Sequence, residues 1–480
     1  MVKSKKYIKI LSALVLLSLA FILALSSCSN VNMLPPTDDG DPEDTVSIVK
    51  TELINGDLIV TYSDGRVENL GPLSGESDSD SLSFYPLPDG TYGITAGNTI
   101  YLEGISIPAT YKGRPVTRIL NNAFKGLENL KTITIPDSIV SIGASAFSGC
   151  EKLEAVTIPQ KVTAIDSSAF YGCKGLKEIV IPDSVTEIGS QTFYMCESLS
   201  QITLPASDLT IGGTAFFETS YYNNEENWQN GVLYIGAHLI VAKNALAGNY
   251  KITDGTLTVA DYAFKLCEGV TGISVPDSTV RIGDYAFADC EKLVGVAMGD
   301  GSLIKNIGEG AFSNCISFFE FDVPSGLAQI SENTFNGCTS IKKLVTKDAT
   351  SLKVIKEKAF YGCETLSEIQ IPNCLERIEA SAFEGCEALV TVTVDGENST
   401  LSYIGDRAFY SCKKLANIEI PASVTELGRE SFAECAALEK IGYGGTEDQW
   451  KKNVTRGASW NKNVPAEKIT FSEPTPTSDV

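Results

Sequence analysis

The stretch that decides the fold is LKEIVIPDSVTEIGSQTFYMC, residues 176–196. Its apolar positions are Leu176, Ile179, Ile181, Val185, Ile188, Phe193 and Cys196. Neither a period of 3.6 nor a strict alternation fits the whole unit. Residues 176–181 alternate as a short strand, which Pro182 ends because proline has no N–H to donate to a sheet. Gly189 fits a tight corner, and the pattern of residues 193–196 predicts one helical turn.

The unit recurs along most of the chain, and one phenylalanine marks each copy. This residue stands at Phe124, Phe147, Phe170, Phe193, Phe216, Phe264, Phe287, Phe312, Phe335, Phe360, Phe383, Phe409 and Phe432. Most intervals are 23 residues, three are 25, 25 and 26, and the interval between Phe216 and Phe264 is 48. The long interval predicts one degenerate coil. Repeats of this length are typical of solenoids, in which a coil is stable only when neighbours share its apolar face.

The copies share the pattern L-x-x-I-x-I-P-x-x-V-x-x-I-G-x-x-A-F-x-x-C over about residues 105–445. This pattern resembles the repeat of BspA-type leucine-rich-repeat surface proteins. The resemblance implies a mostly β, α/β-type repeat solenoid: a curved, right-handed leucine-rich-repeat solenoid with a parallel sheet on its concave side. It also implies a surface-displayed, ligand-binding or adhesive role. The segment IGYGGTEDQWKK, residues 441–452, resembles the closing segment of such proteins.

The N-terminal residues 1–27 predict an export signal, with four lysines before an apolar run from Ile10 to Leu25. The following Leu25-Ser26-Ser27-Cys28 resembles the lipobox of bacterial lipoproteins, whose cysteine is acylated and becomes the mature N-terminus. We therefore expect a lipid anchor on Cys28 and a position on the extracellular face of a bacterial membrane. The alternative is an ordinary cleaved signal with an incidental cysteine.

Composition and turn residues divide the rest of the chain. Ser63-Asp64-Gly65 and Asp89-Gly90 are typical of hairpin turns, and the acidic stretch with Pro35-Pro36 is typical of a disordered tether. The expected segments are a tether at 28–50, a small β-hairpin segment at 51–73, a linker at 74–81, an N-terminal β cap at 82–104, the solenoid of 13 to 14 coils at 105–445, a C-terminal cap at 446–472 and a disordered tail at 473–480.

Charge and motifs argue against nucleic acid and against catalysis. The net charge of -22 becomes -26 without the four lysines of the export signal, whereas phosphate binding needs clustered cations. The chain has a single histidine, His238, and this excludes most kinds of acid–base catalytic site and metal site. It has no G-x-S-x-G, H-E-x-x-H or P-loop sequence. We expect no catalytic residue, no metal and no cofactor.

Cysteine also follows the repeat. Eleven cysteines stand three residues after a repeat phenylalanine, and only Cys374 and Cys28 lie off this position. A zinc or disulfide system is one interpretation, since the protein is expected to be exported. However, no pair has C-x-x-C spacing, and the first copy has Leu127 at this position. We favour reduced, buried cysteines that act as small apolar residues.

Three surfaces are candidates for binding. The first is the strand row, the residue between the two apolar anchors of each strand, expected on the concave face: Thr134, Thr157, Val180, Thr203, Ser274, Ala297, Asp322, Val345, Gln370, Thr393 and Glu419. The second is a rim of three lengthened loops in every second coil, with candidate residues Gly299, Asp300, Gly301, Ser302, Lys347, Asp348, Ser351, Asp395, Glu397 and Asn398. The third is an aromatic site of Tyr221, Tyr222 and Trp228 in the degenerate coil.

The resulting hypothesis is a lipid-anchored, non-catalytic surface protein that binds a host or microbial surface macromolecule, either a protein or a glycan. Two alternatives stay open at this point. One is a structural envelope scaffold without an external ligand, and the other is a glycan-capturing surface lipoprotein. Each candidate surface also has a structural explanation, such as β-propensity for the threonines of the strand row, loop drift for the rim and core packing for the aromatic site.

Overall fold

The computed structural model describes residues 48–54, 57–72, 81–99, 101–346, 348–394, 398–464 and 469–472. The expected export signal, Cys28, most of the tether and the C-terminal tail lie outside these residues. The chain divides into two compact units, residues 1–74 and 75–480. The first unit holds a three-stranded antiparallel sheet: β1 Ile48–Ile54, β2 Asp57–Tyr62 and β3 Val67–Pro72.

The second unit begins with a capping hairpin that turns at Asp89-Gly90, and the hairpin leads directly into the first coils. Its β5 pairs in parallel with a strand of the first coil, so the cap covers the open end of the stack. The strands are β4 Ser83–Pro86, β5 Tyr92–Thr95, β6 Gly104–Ser106, β7 Thr110–Tyr111, β8 Arg114–Ile119, β9 Thr132–Thr134, β10 Ser141–Ile142, β11 Ala164–Ile165, β12 Glu178–Val180, β13 Glu187–Ile188, β14 Gln201–Thr203 and β15 Thr210–Ile211.

A standard coil contains two short strands, and the strands of successive coils form two parallel sheets. In the first strand, illustrated by β12, Ile179 is buried while Glu178 and Val180 are exposed. In the second strand an isoleucine is buried, and it pairs in register with its counterpart, as Ile142 does with Ile165. We call these the first sheet and the second sheet. Because equivalent positions lie directly over one another, each apolar position of the repeat becomes a column through the molecule.

The helical turn expected near the repeat phenylalanine is wrong. The residues two before and two after it, Gln191 and Met195 in one coil, have left-handed φ angles of 59° and 58°. This alternation directs the intervening N–H groups along the stack, so that Phe193 donates to the Ala215 carbonyl of the next coil at 2.8 Å. The corner therefore forms a third ladder of hydrogen bonds between coils, which a helix, whose N–H groups bond within itself, could not provide.

The phenylalanines form the centre of the core, but in two stacks rather than one continuous column. Neighbouring rings lie parallel within each stack, as between Phe147 and Phe170 at 5.0 Å and between Phe193 and Phe216 at 5.5 Å. The first stack holds the five rings from Phe124 to Phe216, and the second holds the eight rings from Phe264 to Phe432. The segment between Phe216 and Phe264 interrupts the column.

A degenerate coil separates the stacks, as the 48-residue interval predicts, and it contains an inserted hairpin. Its elements are α1 Ser220–Asn223, a 3-10 turn Glu225–Asn227, β16 Trp228–Gln229, β17 Val232–Ile235, β18 His238–Ala242 and β19 Ala247–Lys251. The strands β17 and β18 pair antiparallel and are almost wholly buried. Leu233 and Ile240 pack into the core of the first stack, whereas Val232 and Leu239 pack into the core of the second. The hairpin is thus a wall with one core on each side.

The second stack continues to a helical cap. Its strands are β20 Thr258–Val259, β21 Gly269–Val275, β22 Arg281–Ile282, β23 Val296–Met298, β24 Asn306–Ile307, β25 Glu320–Asp322, β26 Gln329–Ile330, β27 Lys343–Val345, β28 Val354–Ile355, β29 Glu368–Ile371, β30 Arg377–Ile378, β31 Thr391–Val394, β32 Tyr403–Ile404, β33 Asn417–Ile420, β34 Glu426–Leu427 and β35 Lys440–Tyr443. The cap has α2 Glu447–Asn453, β36 Thr455–Arg456 and β37 Ile469–Phe471. Thr446 begins α2 with a capping box, in which the side chains of Thr446 and Gln449 satisfy each other's backbone N–H groups. Trp450 of this helix is buried against the last coils.

A candidate binding site at a break in both sheets

Both sheets are interrupted at the same place in the second stack. In the first sheet β23 does not pair with β25, and in the second sheet β24 does not pair with β26. The corner ladder continues across this point, since Phe287 donates to the Ala311 carbonyl at 2.8 Å and its ring lies 5.4 Å from that of Phe312. The coils therefore remain stacked at the phenylalanine side, while regular pairing is lost at the two strands.

The break coincides with an unusually bulky coil, CISFFEFDV, residues 315–323. Phe318 and Phe321 occupy the positions that hold leucine and isoleucine in the clean copy of the repeat. Both rings are buried and pack around Phe312 and Phe335, with ring centroids 4.8 to 6.1 Å apart. Extra volume in a close-packed core is accommodated by shifts of the backbone. We attribute the loss of strand pairing to these two rings.

The coils at the break expose apolar side chains at a position that is usually polar. Val294 and Phe319 each follow a buried residue that lies just before the first strand of its coil, and they are 53% and 45% exposed. Apart from the degenerate coil, eight other copies have a polar side chain at this position and two have Val390 and Ala416. The polar residues are Lys131, Glu154, Lys177, Ser200, Thr271, Lys342, Ser367 and Glu439. Phe319 donates its N–H to the Val294 carbonyl at 2.8 Å, so the two residues are neighbours. We call Val294 and Phe319 the apolar patch.

A first cleft, of about 610 Å³, lies beside the first sheet just before the break. Ser274 and Ala297 of the strand row line it together with Gly299 of the first rim loop. The loop lies so close to Asp277 that a side chain on Gly299 would collide with the Asp277 carboxylate. The structure thus brings two of the predicted surfaces together at one cleft.

A second cleft, of about 380 Å³, opens at the break on the side of the second sheet. It is lined by side chains of β22, β24 and β26 and of the corners that follow them. Its walls are largely polar and include Asn306, Gln329, Lys356, Asp284 and Glu332. These residues were not predicted as site residues from the sequence.

Elsewhere the strand row is exposed but dispersed. Thr134, Thr157, Thr203, Asp322, Gln370, Thr393 and Glu419 are exposed, each in a different coil. The Glu419 carboxylate forms an ion pair with Lys440 at 3.5 Å, and the Thr393 hydroxyl donates to the Ile369 carbonyl at 3.5 Å. Only Ser274 and Ala297 of this row line the first cleft. The row by itself is a series of side chains, one per coil, of which most are polar.

The other two rim loops follow equivalent strands, β27 and β31, of the same sheet. Lys347, Asp395 and Glu397 lie outside the described residues, whereas Asp348 and Asn398 are exposed and Ser351 is half-buried. The third loop bonds back to the preceding coil, where the Thr400 N–H donates to the Asn373 carbonyl at 2.9 Å. The described parts of these loops line neither cleft.

The predicted aromatic site is largely used for internal packing. Tyr221 donates its hydroxyl to the Tyr234 carbonyl at 2.9 Å, and the Trp228 indole N–H donates to the Tyr222 carbonyl at 2.8 Å. The Tyr222 and Trp228 rings meet edge to face at 5.3 Å, and all three residues are half-buried against the core of the first stack. This cluster holds the degenerate coil in place.

The repeat cysteines are buried, as predicted, and each thiol has a hydrogen-bond acceptor. Cys173, for example, donates Sγ–H to the Phe147 carbonyl of the preceding coil at 3.2 Å. Burial raises the pKa of Cys150 and Cys196 to about 12, so their thiols stay protonated and unreactive at neutral pH. The twelve cysteines within the described residues are free thiols, and Cys374 alone among them is half-buried. No group of three or more potential metal ligands occurs in that same part of the chain.

His238 is fully buried in β18 and joins the two stacks. Its Nε2 lies 2.7 Å from the Pro205 carbonyl, which can only accept, and its Nδ1 lies 2.7 Å from the Thr258 hydroxyl. Burial lowers the pKa of this imidazole. The histidine is therefore a core residue whose two ring nitrogens both have hydrogen-bond partners.

Two kinds of site residue were missed in the sequence. Phe319 sits in the run Phe318-Phe319-Glu320-Phe321, which resembles core, and only comparison with the equivalent lysines and glutamates of other copies marks it as unusual. Asn306 and Gln329 carry no such signal. They become notable only because β24 and β26 fail to pair beside them.

The sequence and the fold can be compared with known proteins. The family model of the BspA type leucine rich repeat region matches in six copies, at residues 98–238, 257–354 and 348–457. No curated protein gives a significant match. Among the described residues there is no helix of the length and hydropathy that a membrane crossing requires.

Several solved structures are similar. A leucine-rich repeat protein from Bacteroides ovatus is 24% identical over 91% of this chain and 100% of its own, with a TM-score of 0.35. A leucine rich cell surface protein from Faecalibacterium prausnitzii is 24% identical over 79% and 97%, with a TM-score of 0.27. The pneumococcal vaccine antigen PcpA is 16% identical over 88% and 100%, also with a TM-score of 0.27. Since the family model spans well over half of the sequence, the chain belongs to the BspA-type leucine-rich-repeat family.

Proposed function

We propose that this protein is a non-catalytic surface module that binds a protein partner through the apolar patch and the first cleft at the sheet break. The observation that carries the proposal is the exposure of Val294 and Phe319 at a position where most other copies have polar or charged side chains. Exposed aromatic and aliphatic residues in a polar surround are typical of protein interaction sites.

The surroundings of the patch favour a protein over other partners. The Lys342 ammonium lies 5.2 Å from the centroid of the Phe319 ring, and Lys343 pairs with Glu320 beside it. An apolar centre with a rim of mixed charge is the arrangement in which a few residues contribute most of the binding free energy. The net charge of -22 opposes association with nucleic acid.

The experiment compares two substitutions at the same repeat position. Phe319→Ser removes the aromatic ring of the patch, and Val390→Ser is the matched control, because both side chains are 45% exposed and Val390 lies three coils away. Binding of the full-length protein to a panel of extracellular-matrix and bacterial surface proteins is measured by biolayer interferometry. We expect Phe319→Ser to weaken binding about tenfold or more and Val390→Ser to leave it unchanged. Equal effects of the two substitutions would contradict the proposal.

We further propose that the protein is held at the extracellular face of a bacterial membrane by lipid on Cys28. The support is the sequence Leu25-Ser26-Ser27-Cys28 after an apolar run, because this sequence resembles the lipobox, whose cysteine is acylated. Cys28→Ser should move the protein from the detergent phase to the aqueous phase in Triton X-114 partition. Retention of the variant in the detergent phase would contradict the lipid anchor.

A further inference from the structure

The second cleft lies where the second sheet is open. β22 pairs with β24, and β26 pairs with β28, but β24 and β26 do not pair. At this point the Ser331 hydroxyl donates to the Ile307 carbonyl at 2.5 Å, where an intact copy uses the backbone N–H of Gly308 to bond Ile282. The cleft of about 380 Å³ is within the range of small-ligand sites.

Three hydrogen-bond donors in this cleft have no partner in the described part of the protein. They are the side-chain amides of Asn306 and Gln329 and the ammonium of Lys356. The lysines on either side of Lys356 in the sequence are engaged, since Lys353 pairs with Glu376 at 2.9 Å and Lys358 with Glu357 at 2.7 Å. The donors of the cleft are therefore available to a ligand.

Hydrogen-bond acceptors face the same cleft from three successive coils. Asp284, Glu309 and Glu332 each stand three residues before a repeat phenylalanine, so they form one column. One oxygen of Asp284 accepts the Glu309 N–H at 2.8 Å, and one oxygen of Glu309 accepts the Tyr285 hydroxyl. The second oxygen of each of these two carboxylates can still accept a hydrogen bond from a ligand. The column thus offers at least one acceptor per coil beside the uncommitted donors.

The charge of the lining restricts the class of ligand. Arg281, the other cation of the cleft, is already bonded to Asp208 through two nitrogens at 2.7 and 3.1 Å. Three carboxylates then face a single unpaired lysine, which disfavours phosphate, sulfate and carboxylate ligands. A neutral molecule rich in hydroxyl groups can use both sets at once, because each hydroxyl donates one hydrogen bond and accepts others.

We propose that the second cleft binds a neutral saccharide, whose hydroxyl oxygens accept from Asn306, Gln329 and Lys356 and whose hydroxyl groups donate to Glu309 and Glu332. Asn306 and Gln329 hold the same position in successive coils, and so do Glu309 and Glu332. A saccharide chain, which presents hydroxyl groups at every sugar ring, fits such a periodic lining. This site is separate from the apolar patch and does not depend on the protein-binding proposal.

The test is saturation-transfer difference NMR on the full-length protein with glucose, galactose, mannose, N-acetylglucosamine and their β-linked disaccharides. At least one sugar should receive saturation, and the double substitution Asn306→Ala, Gln329→Ala should reduce the signal at least about fivefold, as expected for loss of one or more hydrogen bonds. Ser141→Ala is the control, because Ser141 has the same position as Asn306 in an intact part of the second sheet. Circular dichroism checks that the variants are folded.

Three results would overturn the saccharide site. They are no transfer to any sugar of the panel, an undiminished signal in the double variant, or an equal signal from a sulfated disaccharide. The Phe319→Ser variant should keep its sugar signal, so failure of the patch and failure of the cleft are distinguishable.

Discussion

The first and second stacks are built from the same repeat, yet the second departs further from regularity. In the first stack regular pairing is lost only in the first sheet, between β9 and β12. In the first stack the five phenylalanines are all 23 residues apart, and the second sheet runs unbroken from β8 to β15. The second stack contains the three lengthened loops, the bulky coil at Phe318, the double sheet break and both clefts. Identical coils stabilise each other most evenly, and the irregular coils create the surface that can recognise a ligand.

The β17–β18 hairpin affects how the stability of one stack depends on that of the other. It places separate cores on its two sides, so the stacks share few apolar contacts. Specific links remain across the boundary: the Asp208–Arg281 ion pair, the His238–Pro205 hydrogen bond and the Asp261 N–H to the Ile211 carbonyl at 2.9 Å. In a repeat protein, stability is a sum over neighbouring interfaces. The two stacks should therefore respond separately to damage in either core.

The largest effect is expected from removing one ring of a stack. Phe170→Ala in the first stack and Phe360→Ala in the second each delete a fully buried ring between two parallel neighbours. Each should lower the free energy of unfolding by about 3–5 kcal/mol in urea denaturation. Hydrogen exchange followed by mass spectrometry should show faster exchange only in the stack that carries the substitution. Equal acceleration in both stacks would show that the hairpin does not separate them.

A second pair of substitutions probes the wall itself. Leu233→Ala and Leu239→Ala remove buried side chains from opposite faces of the same hairpin, and each should cost about 2–5 kcal/mol. Leu233→Ala should accelerate exchange around Phe216, and Leu239→Ala should do so around Phe264. The two variants are matched controls for each other. Indistinguishable exchange patterns would argue against two separate cores.

A smaller effect is expected at the edge of the first stack. Trp228→Ala removes a half-buried ring that packs on Tyr222 and whose indole N–H donates to the Tyr222 carbonyl. The Lys243 ammonium lies 4.8 Å from the centroid of this ring. We expect a loss of about 1–3 kcal/mol in the free energy of unfolding and unchanged ligand binding, because the aromatic cluster supports the fold. Weakened binding with unchanged stability would restore this cluster as a binding site.

The smallest effect is the pH dependence of the boundary. Because burial lowers the pKa of His238 below its ordinary value of 6.5, the unfolded chain takes up a proton that the folded chain refuses as the pH falls below that value. The contribution of His238 to stability should fall with decreasing pH by at most about 1.4 kcal/mol per pH unit. His238→Gln keeps a donor for Pro205 and an acceptor for Thr258 without titrating, so it should remove this part of the dependence.

The measurement is urea denaturation of both proteins at pH 7.5 and pH 5.5. Asp261 titrates in the opposite sense, since burial raises the pKa of its carboxyl to about 7, but it is present in both proteins and cancels in their difference. The free energy of unfolding of the wild type minus that of His238→Gln should be lower at pH 5.5 than at pH 7.5. A difference that is the same at both pH values would contradict the role assigned to this histidine.

Much of the fold is predictable because the same pattern of apolar positions recurs in almost every coil. The spacing of Leu176, Ile179 and Ile181 predicts the first strand, and Ile179 is buried between exposed neighbours as expected. The corner is less predictable. Its left-handed residues include Gln191 and Met195, which carry no local preference for that conformation, and the cost is offset by hydrogen bonds to the next coil.

The candidate site is less predictable than the fold. The loop at Gly299 was identified from its insertion, and it does line a cleft. The apolar patch was not identified from the sequence, because the exposure of Phe319 depends on where the strands of neighbouring coils stop pairing. A local pattern such as Phe318-Phe319-Glu320-Phe321 cannot show which of its rings face the core.

By itself, the sequence determined the coil, its periodicity, the buried columns of phenylalanine and cysteine, and the position of the degenerate coil. Only the tertiary structure decided that the inserted hairpin divides the core and that both sheets part beside Phe318 and Phe321. The physical reason is that apolar spacing fixes which side chains point inward within one coil. Whether two coils can pair depends on the summed volumes of side chains from both.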